Sequence, residues 1–303
     1  MTEEKSLKRI LIEVARERED KPPYPRGDKH KHLACGELCI FDYFNPSAMG
    51  QCERRVILSH FGVEGKGLTD DDVMFFWLGD IIHDAVQMGI AKKLPDQVWN
   101  EVGMRDDTYR VSGRLDTLRL VLTDGVFGVY EYKTVRTEAF NFKLPKPDAI
   151  LQVILYQVFK IDCPECRGYE SMVPQCVMCQ NIGMVGPAEW GKIAYIDRQE
   201  GRIEVYDITV TDELRAAVKQ KLMRLQVLAE EYDRNGTLPD KLPKEHITDK
   251  KGEPQFYQKS SAKFGFKKGD PKLKDDWRVR NCPYLGSGRC CGDKEKQSQS
   301  EAV

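Results

Sequence analysis

Two strand-like stretches, Arg110–Leu122 and Val126–Thr134, are separated by Asp124-Gly125. Such a dipeptide suits the positive-φ positions of a two-residue turn, so the middle of the chain is expected to form an antiparallel hairpin. If Asp124 and Gly125 are the turn, Thr123 faces Val126 and Asp116 lies opposite Lys133. Side chains alternate across a strand, which puts Asp116, Glu131 and Lys133 on one face of this unbulged hairpin.

Two carboxylates beside an ammonium suit a site for a hard divalent cation. Mg²⁺ or Mn²⁺ takes a few carboxylate oxygens, water and a substrate phosphate, polarises a phosphodiester and lowers the pKa of bound water. Lys133 would position or deprotonate the attacking water and stabilise charge in the transition state. From these three residues alone, a solvated ion-pair ladder on a strand stays open as the alternative.

Around the hairpin, an acidic cap from Asp70 leads into Val73–Lys93, whose apolar residues recur at helical spacing and predict a mostly buried helix. Asp148–Phe159 predicts a second helix. Lys192–Asp197 and Arg202–Val210 read as strands separated by Glu200-Gly201. Thr211 can cap a long amphipathic helix with Leu214, Val218, Leu222, Leu225 and Leu228 on one face, ending at Asn235-Gly236.

The 47 basic and 48 acidic side chains nearly cancel, so any nucleic-acid surface must be local. Between Lys241 and Arg280 there are 12 Lys or Arg against 6 Asp or Glu, interleaved with Phe256, Tyr257, Phe264, Phe266 and Trp277. That pattern suits a phosphate backbone and stacked bases, and equally a solvated loop with anchoring aromatics. No leader-like segment or membrane-length apolar run is present, which predicts a soluble, cytoplasmic protein without a membrane partner. Ten cysteines in such a chain read as thiolates for metals rather than as a disulfide framework.

Gly113-Arg114-Leu115-Asp116 followed by Tyr130-Glu131-Tyr132-Lys133-Thr134 resembles the signature of the PD-(D/E)XK nucleases. The RecB-like branch carries a Gly-x3-His helix upstream, matched by Gly79 to His83, and a Gln-x3-Tyr helix downstream, matched by Gln152 to Tyr156. Asn45-Pro46-Ser47 through Cys52-Glu53-Arg54-Arg55 is similar to the Ser-Pro-Ser…Cys-x-Arg segment with which that branch begins, a branch that includes CRISPR-associated spacer-acquisition exonucleases and recombination helicase-nucleases. The resemblance implies an α/β, restriction-endonuclease-like core with a central mixed sheet flanked by helices. It also implies His83, Asp116, Glu131 and the Tyr132 carbonyl as Mg²⁺ or Mn²⁺ ligands, Lys133 as the catalytic lysine, and Gln152 and Tyr156 as supports of the active site or substrate strand. The implied activity is DNA hydrolysis, with an exonuclease on single strands or free ends leading over a sequence-specific endonuclease, and with protein partners in a recombination or processing complex. A non-catalytic nucleic-acid-binding scaffold is the rival from another class.

Cys163-Pro164-Glu165-Cys166 and Cys176-Val177-Met178-Cys179 are two C-x2-C knuckles at a spacing that closes a tetrahedral Zn²⁺ site. Cys52 matches the first position of the family's [4Fe–4S] set. The C-terminal spacing departs from that set, leaving Cys282, Cys290 and Cys291, with Cys35 or Cys39, open to iron–sulfur, a second zinc or no cluster. The expected organisation is a polar, disordered arm over 1–30, a nuclease domain over 31–291 with a zinc knuckle inserted at 162–189 and a basic segment at 241–291, and a disordered tail over 292–303.

Overall fold

The computed structural model describes residues 43–63, 65–141, 144–166, 176–180, 182–241, 245–246, 273–274 and 283. The expected arm 1–30 and tail 292–303, Cys35, Cys39, Cys282, Cys290, Cys291 and almost all of the basic stretch lie outside these residues. Contacts divide the chain into two units. The first contains Leu68–Val227, with His60–Gly62 and residues up to Gly50. The second gathers Gln51–Ser59, Val63–Gly67 and residues from Leu228 onward. In this second unit α1 (Glu53–His60) contributes most of its length, Arg54 Nε donates to the Pro239 carbonyl at 2.5 Å, and Lys66 N–H donates to the Pro283 carbonyl at 2.7 Å.

The first unit is a mixed α/β structure on a seven-stranded sheet. After α2 (Asp70–Lys93) come β1 (Val98–Asp106), β2 (Val111–Val121), β3 (Val126–Val135), the short α3 (Thr137–Phe140) and α4 (Pro147–Tyr156). Next are β4 (Ile161–Asp162), β5 (Met184–Val185), β6 (Trp190–Asp197), β7 (Ile203–Ile208) and α5 (Asp212–Asn235), whose residues from Leu228 belong to the second unit. The sheet order is β5-β4-β1-β2-β3-β6-β7. Every neighbouring pair is antiparallel except β3 and β6, which run parallel. No helix among the described residues is long and apolar enough to cross a membrane.

The β2–β3 register departs from the expected one by two positions. Val121 pairs with Val126 and Leu118 with Val129, so the loop holds Leu122 to Gly125 and is closed by the Gly125 N–H on the Val121 carbonyl at 2.8 Å. A two-residue turn of the expected type needs positive φ at both central residues, and of Asp124 and Gly125 only Gly125, at φ +68°, adopts it. A slip of two leaves every side chain on its own face. The direct opposition of Asp116 and Lys133 is lost; their shared face is not.

Helix α2 starts at Asp70, three residues before the expected Val73, with Thr69 and Asp72 forming a reciprocal capping box. It is not mostly buried, however. Val73, Gly79 and Gln87 are its buried residues, while Phe76, Leu78, Ile81 and Met88 are exposed. A helix that is apolar around its circumference gives little phase information about which side is covered, and here one stripe lies on the sheet. Helix α5 is capped by Thr211, whose Oγ1 accepts the Leu214 N–H at 3.3 Å. Its buried stripe is Val218, Leu222, Leu225 and Ala229, and Leu214, in the first turn, stays exposed. Strand β1 carries little strand signal, because its sequence lacks alternation and Glu101, at φ +54°, interrupts it.

The helices cover both faces of β3. Thr134 Oγ1 lies 3.0 Å from where a Cβ on Gly79 of α2 would sit, whereas Lys133, next in sequence and facing the other way, meets Gln152 of α4. Helix α4 is seated on Gly191 of β6, where a Cβ would come within 2.3 Å of Val153 Cγ1 and 2.6 Å of Gln157 Nε2. Gly191→Ala should therefore destabilise the protein by about 1–3 kcal/mol through overpacking, read as a lower urea midpoint with an unchanged slope.

Candidate functional site

The site begins where the sheet loses its ladder. Pairing of β2 with β3 runs from the turn to Thr117↔Tyr130 and stops. Beyond that point the Asp116 carboxylate occupies the fork, its Oδ2 accepting the Tyr132 N–H at 2.7 Å. On the other side, β1 pairs with β2 through Asn100↔Thr117 and Val102↔Leu115, and the intervening Glu101–Asp116 pair is missing. Asp116 is thus out of register on both sides. Its carbonyl is held by Gln87 Nε2 at 2.9 Å, and the same amide nitrogen donates to Glu101 Oε1 at 3.1 Å.

Glu131 and Lys133, two apart on β3, face α4. Lys133 Nζ donates to Glu131 Oε1 at 2.6 Å and to Gln152 Oε1 at 2.9 Å. Gln152 Nε2 donates to the Tyr156 hydroxyl at 2.9 Å, and that hydroxyl donates to the Arg114 carbonyl at 2.8 Å. Each link fixes the next: Tyr156, fully buried, sets the Gln152 amide, and the amide sets the ammonium. Tyr156 therefore reaches the lysine only through Gln152, the α4 side chain that touches it. From α2, His83 Nδ1 lies 3.8 Å from Asp116 Oδ2, and its ring meets Tyr132 edge-on with centroids 6.0 Å apart.

The expected His83, Asp116, Glu131, Tyr132, Lys133, Gln152 and Tyr156 thus fall in one neighbourhood. Glu101 and Gln87 join them without having been expected. Gln87 lies one helical turn beyond His83, a spacing that signals a shared face; Glu101 lies on β1, whose sequence gives little sign of a strand.

The electrostatics are those of a buried acidic site. Burial pushes the Glu131 carboxyl up to about 8, opposed by the Lys133 ammonium and reinforced by Asp116. Burial likewise raises Asp116, against the pull of His83, the Tyr132 N–H and Lys133. Burial would lower Lys133, but the Glu131 carboxylate more than compensates and holds it above its ordinary value. Glu131 is 1% exposed, and its Oε2 is buried with no hydrogen-bond partner. An unpartnered buried carboxylate oxygen beside a second carboxylate and an imidazole is a donor set that fits a hard divalent cation. A second cluster of ligating side chains is a cysteine quartet whose ligand atoms lie within 4.8 Å of one another.

That quartet is Cys163, Cys166, Cys176 and Cys179, all buried. The Sγ atoms of Cys163 and Cys176, and those of Cys166 and Cys179, are 3.6 Å apart, well beyond a disulfide bond of about 2.05 Å. Burial pushes the Cys163 thiol up to about 12. At Cys179 burial acts the same way, but hydrogen bonds from Cys176 and the Gly183 N–H prevail and bring it down to about 7. The segment is closed by the β4–β5 pair, Ile161↔Val185 and Asp162↔Met184, at the sheet edge. Its last residues return to the end of α4, where the Ala188 N–H donates to the Tyr156 carbonyl at 3.0 Å. Met178, Cys179 and Gln180 share a cavity of about 320 Å³ with Gly125, Val126 and Phe127 at the β2–β3 turn. Lys133 lies eight residues along β3 from that turn, roughly 26 Å at ~3.3 Å per residue. After α4 the chain crosses to the β5–β4 edge of the sheet, the edge opposite β7. Cys52, the expected first iron–sulfur ligand, is buried in the second unit, where its carbonyl accepts the Val56 N–H at 3.0 Å.

No family model matches this chain, and no curated protein matches it. Among solved structures, one described as "Crystal structure of SSO0001" is similar over 72% of this chain and 84% of its own, with 20% identity and a TM-score of 0.42. An alkaline exonuclease (LHK-Exo) from Laribacter hongkongensis is similar over 64% of this chain and 93% of its own, with 13% identity and a TM-score of 0.39. Likenesses this distant do not bear on the assignment, which rests on the geometry above.

Two outcomes are expected here. Glu131 keeps a proton in the folded chain at pH values where the unfolded chain, near the ordinary 4.5, has lost it. Its contribution to stability therefore falls as pH rises from about 4.5 to about 8. Urea unfolding across that range without added Mg²⁺ or Mn²⁺ should show this fall in wild-type protein and a flatter profile in Glu131→Gln; parallel profiles would remove the assignment of the raised carboxyl. For the cysteines, purified protein is expected to carry about one Zn²⁺ per chain, and Cys176→Ser/Cys179→Ser should lose it by elemental analysis.

Proposed function

We propose that this chain is a divalent-metal-dependent nuclease that hydrolyses DNA phosphodiesters, acting as an exonuclease on single strands or free ends. One observation carries the reading. Glu131 has a buried, unpartnered carboxylate oxygen beside Asp116, while its other oxygen anchors a lysine that has a donor to spare. A sheet built only for stability gains nothing from concentrating carboxylates at a broken ladder.

Asp116, Glu131 and His83 are the residues that would hold Mg²⁺ or Mn²⁺, with the Tyr132 carbonyl as a further ligand. Such an ion, when bound, polarises the phosphodiester and lowers the pKa of water. The chain's own part is orientation and proton handling. An ammonium has three N–H donors; Glu131 and Gln152 take two from Lys133, and the third is free to point at an attacking water or a non-bridging phosphate oxygen. Lys133, held protonated by Glu131, stabilises charge that grows on phosphate in the transition state. Gln152 fixes the lysine, and Tyr156 fixes Gln152.

The four cysteines are assigned to structural Zn²⁺ on the same footing, being buried, mutually close and correctly spaced.

End-labelled single- and double-stranded DNA incubated with Mg²⁺, Mn²⁺ or EDTA should show cleavage only with metal, starting from strand ends. Lys133→Ala, Asp116→Ala or Glu131→Ala should lower the rate by roughly 10²-fold or more while leaving the fold intact. Wild-type cleavage by cleanly purified Lys133→Ala would overturn the assignment, and metal-independent binding without cleavage would favour the scaffold reading instead.

A further inference from the structure

The parallel strands β3 and β6 end side by side, and each runs straight into an arginine. Val135 is in register with Asp197, and the Arg198 N–H donates to the Val135 carbonyl at 3.1 Å. This places Arg136 beside Arg198. Both guanidinium groups lie over the ring of Phe75 on α2, at 4.9 Å for Arg136 and 3.2 Å for Arg198. Among the described residues, neither arginine has a carboxylate within ion-pair distance.

The obvious candidate, Asp197, is engaged elsewhere. Its carboxylate receives Arg202, the Thr137 hydroxyl and the N–H groups of Gln199 and Glu200. Those bonds stiffen the β6–β7 connection that carries Arg198 and tie it to the residue after Arg136. Arg198 is half-buried. Its Nη1 donates to the Phe75 carbonyl at 2.6 Å, while its Nη2 is buried with no acceptor. Burial and the like charge of Arg136 both work against the protonated form of Arg198. Two adjacent guanidinium groups, flattened on an aromatic ring, without a counter-ion among the described residues and holding an unused buried donor, are equipped for a phosphate.

The position relates this pair to the site already described. Phe75, Gly79 and His83 are one helical turn apart on α2 and lie over Arg136, Thr134 and Tyr132, which are two apart along the path of β3. Phe75 is eight residues from His83, about 12 Å along the helix.

We propose that Arg136 and Arg198, stacked on Phe75, bind a backbone phosphate of the nucleic-acid strand about three nucleotides from the scissile bond, at the ~3.4 Å rise of a stacked strand. The proposal rests on the nuclease reading. A phosphate oxygen entering beside the exposed Arg136 side chain supplies the acceptor that Arg198 Nη2 lacks.

The test is binding rather than cleavage. Fluorescence anisotropy with a fluorescein-labelled single-stranded oligothymidylate, without added divalent cation, is measured across a salt series. Arg136→Gln/Arg198→Gln should bind about tenfold or more weakly, and its plot of log K against log[salt] should be shallower by about 0.7, the loss of one phosphate contact. Arg136→Gln alone, a change at an exposed side chain, should show a smaller loss in the same direction with an unchanged melting temperature. Lys92→Gln, at the far end of α2, serves as the control for net charge. Unchanged affinity and slope in the double variant would overturn the arginine site, as would an equal effect of Lys92→Gln. If wild-type protein binds the oligonucleotide through these arginines but never cuts DNA with Mg²⁺ or Mn²⁺, the arginine site stands and the nuclease reading falls. If instead the protein cuts DNA while the double variant binds unaltered, the nuclease reading stands and the arginine site falls.

Discussion

The N–H of Tyr132 is bonded to a side chain where an antiparallel ladder would offer a carbonyl, and the arrangement of the site depends on that exchange. Backbone groups released from a sheet must find other partners when buried. Here side chains supply them: Asp116 takes the β3 N–H, and Gln87 takes the β2 carbonyl. Both replacements pull functional groups into the gap. Asp116 can hold the fork open only with its carboxylate turned towards β3, and Gln87 can cap its carbonyl only with α2 lying across the strand. The broken pair on the β1 side, with Glu101 in the left-handed region, lets the three strands spread at one residue level.

Helix α2 stays in phase with β3 because their repeats nearly coincide. Four helical residues advance about 6 Å and two strand residues about 6.6 Å, so each turn of the helix meets the next outward-facing strand residue. Gly79 permits the close approach over Thr134, and His83 then arrives at Tyr132 and within reach of Asp116. A larger side chain at position 79 would lift the helix and carry His83 and Gln87 away together.

Much of this is legible in the sequence, and the failures have identifiable causes. The strands Val111–Val121 and Val126–Val135 and the capped helices from Asp70 and Asp212 are spelled out by local signals: alternation, a turn glycine, Thr211 and the acidic run from Asp70. Face assignment in the hairpin survives a wrong register because the slip is even. The convergence of His83, Gln152 and Tyr156 on the hairpin is tertiary, and only resemblance connects them in advance. Strand β1 is illegible because its sequence lacks alternation and Glu101 interrupts it, so Glu101 itself goes unread. The exposed flank of α2 misleads because Phe76, Leu78, Ile81 and Met88 carry the same apolar signal as buried residues. The cysteine knuckle is legible as chemistry but not as a place, since nothing local to Cys163 states which sheet edge its flanking strands join.

In the proposed reading, the unpaired oxygen of Glu131 is what separates a structural ion pair from a working site. Lys133 could have satisfied both carboxylate oxygens in a bidentate way only with a planar fork, which an ammonium lacks; an arginine at 133 would have closed the carboxylate off. The lysine instead engages Oε1, turns a second donor to Gln152 and leaves Oε2 unpartnered within the protein interior. Leaving such an atom unsatisfied costs about 1–3 kcal/mol, a sizeable share of the stability of an ordinary domain. Well-packed neighbours offset that cost, among them the fully buried Tyr156 and Leu118. On the proposed reading, a fold that accepts this penalty beside a second raised carboxyl has its charges arranged for a cation, and binding of that cation would make the folded state more stable.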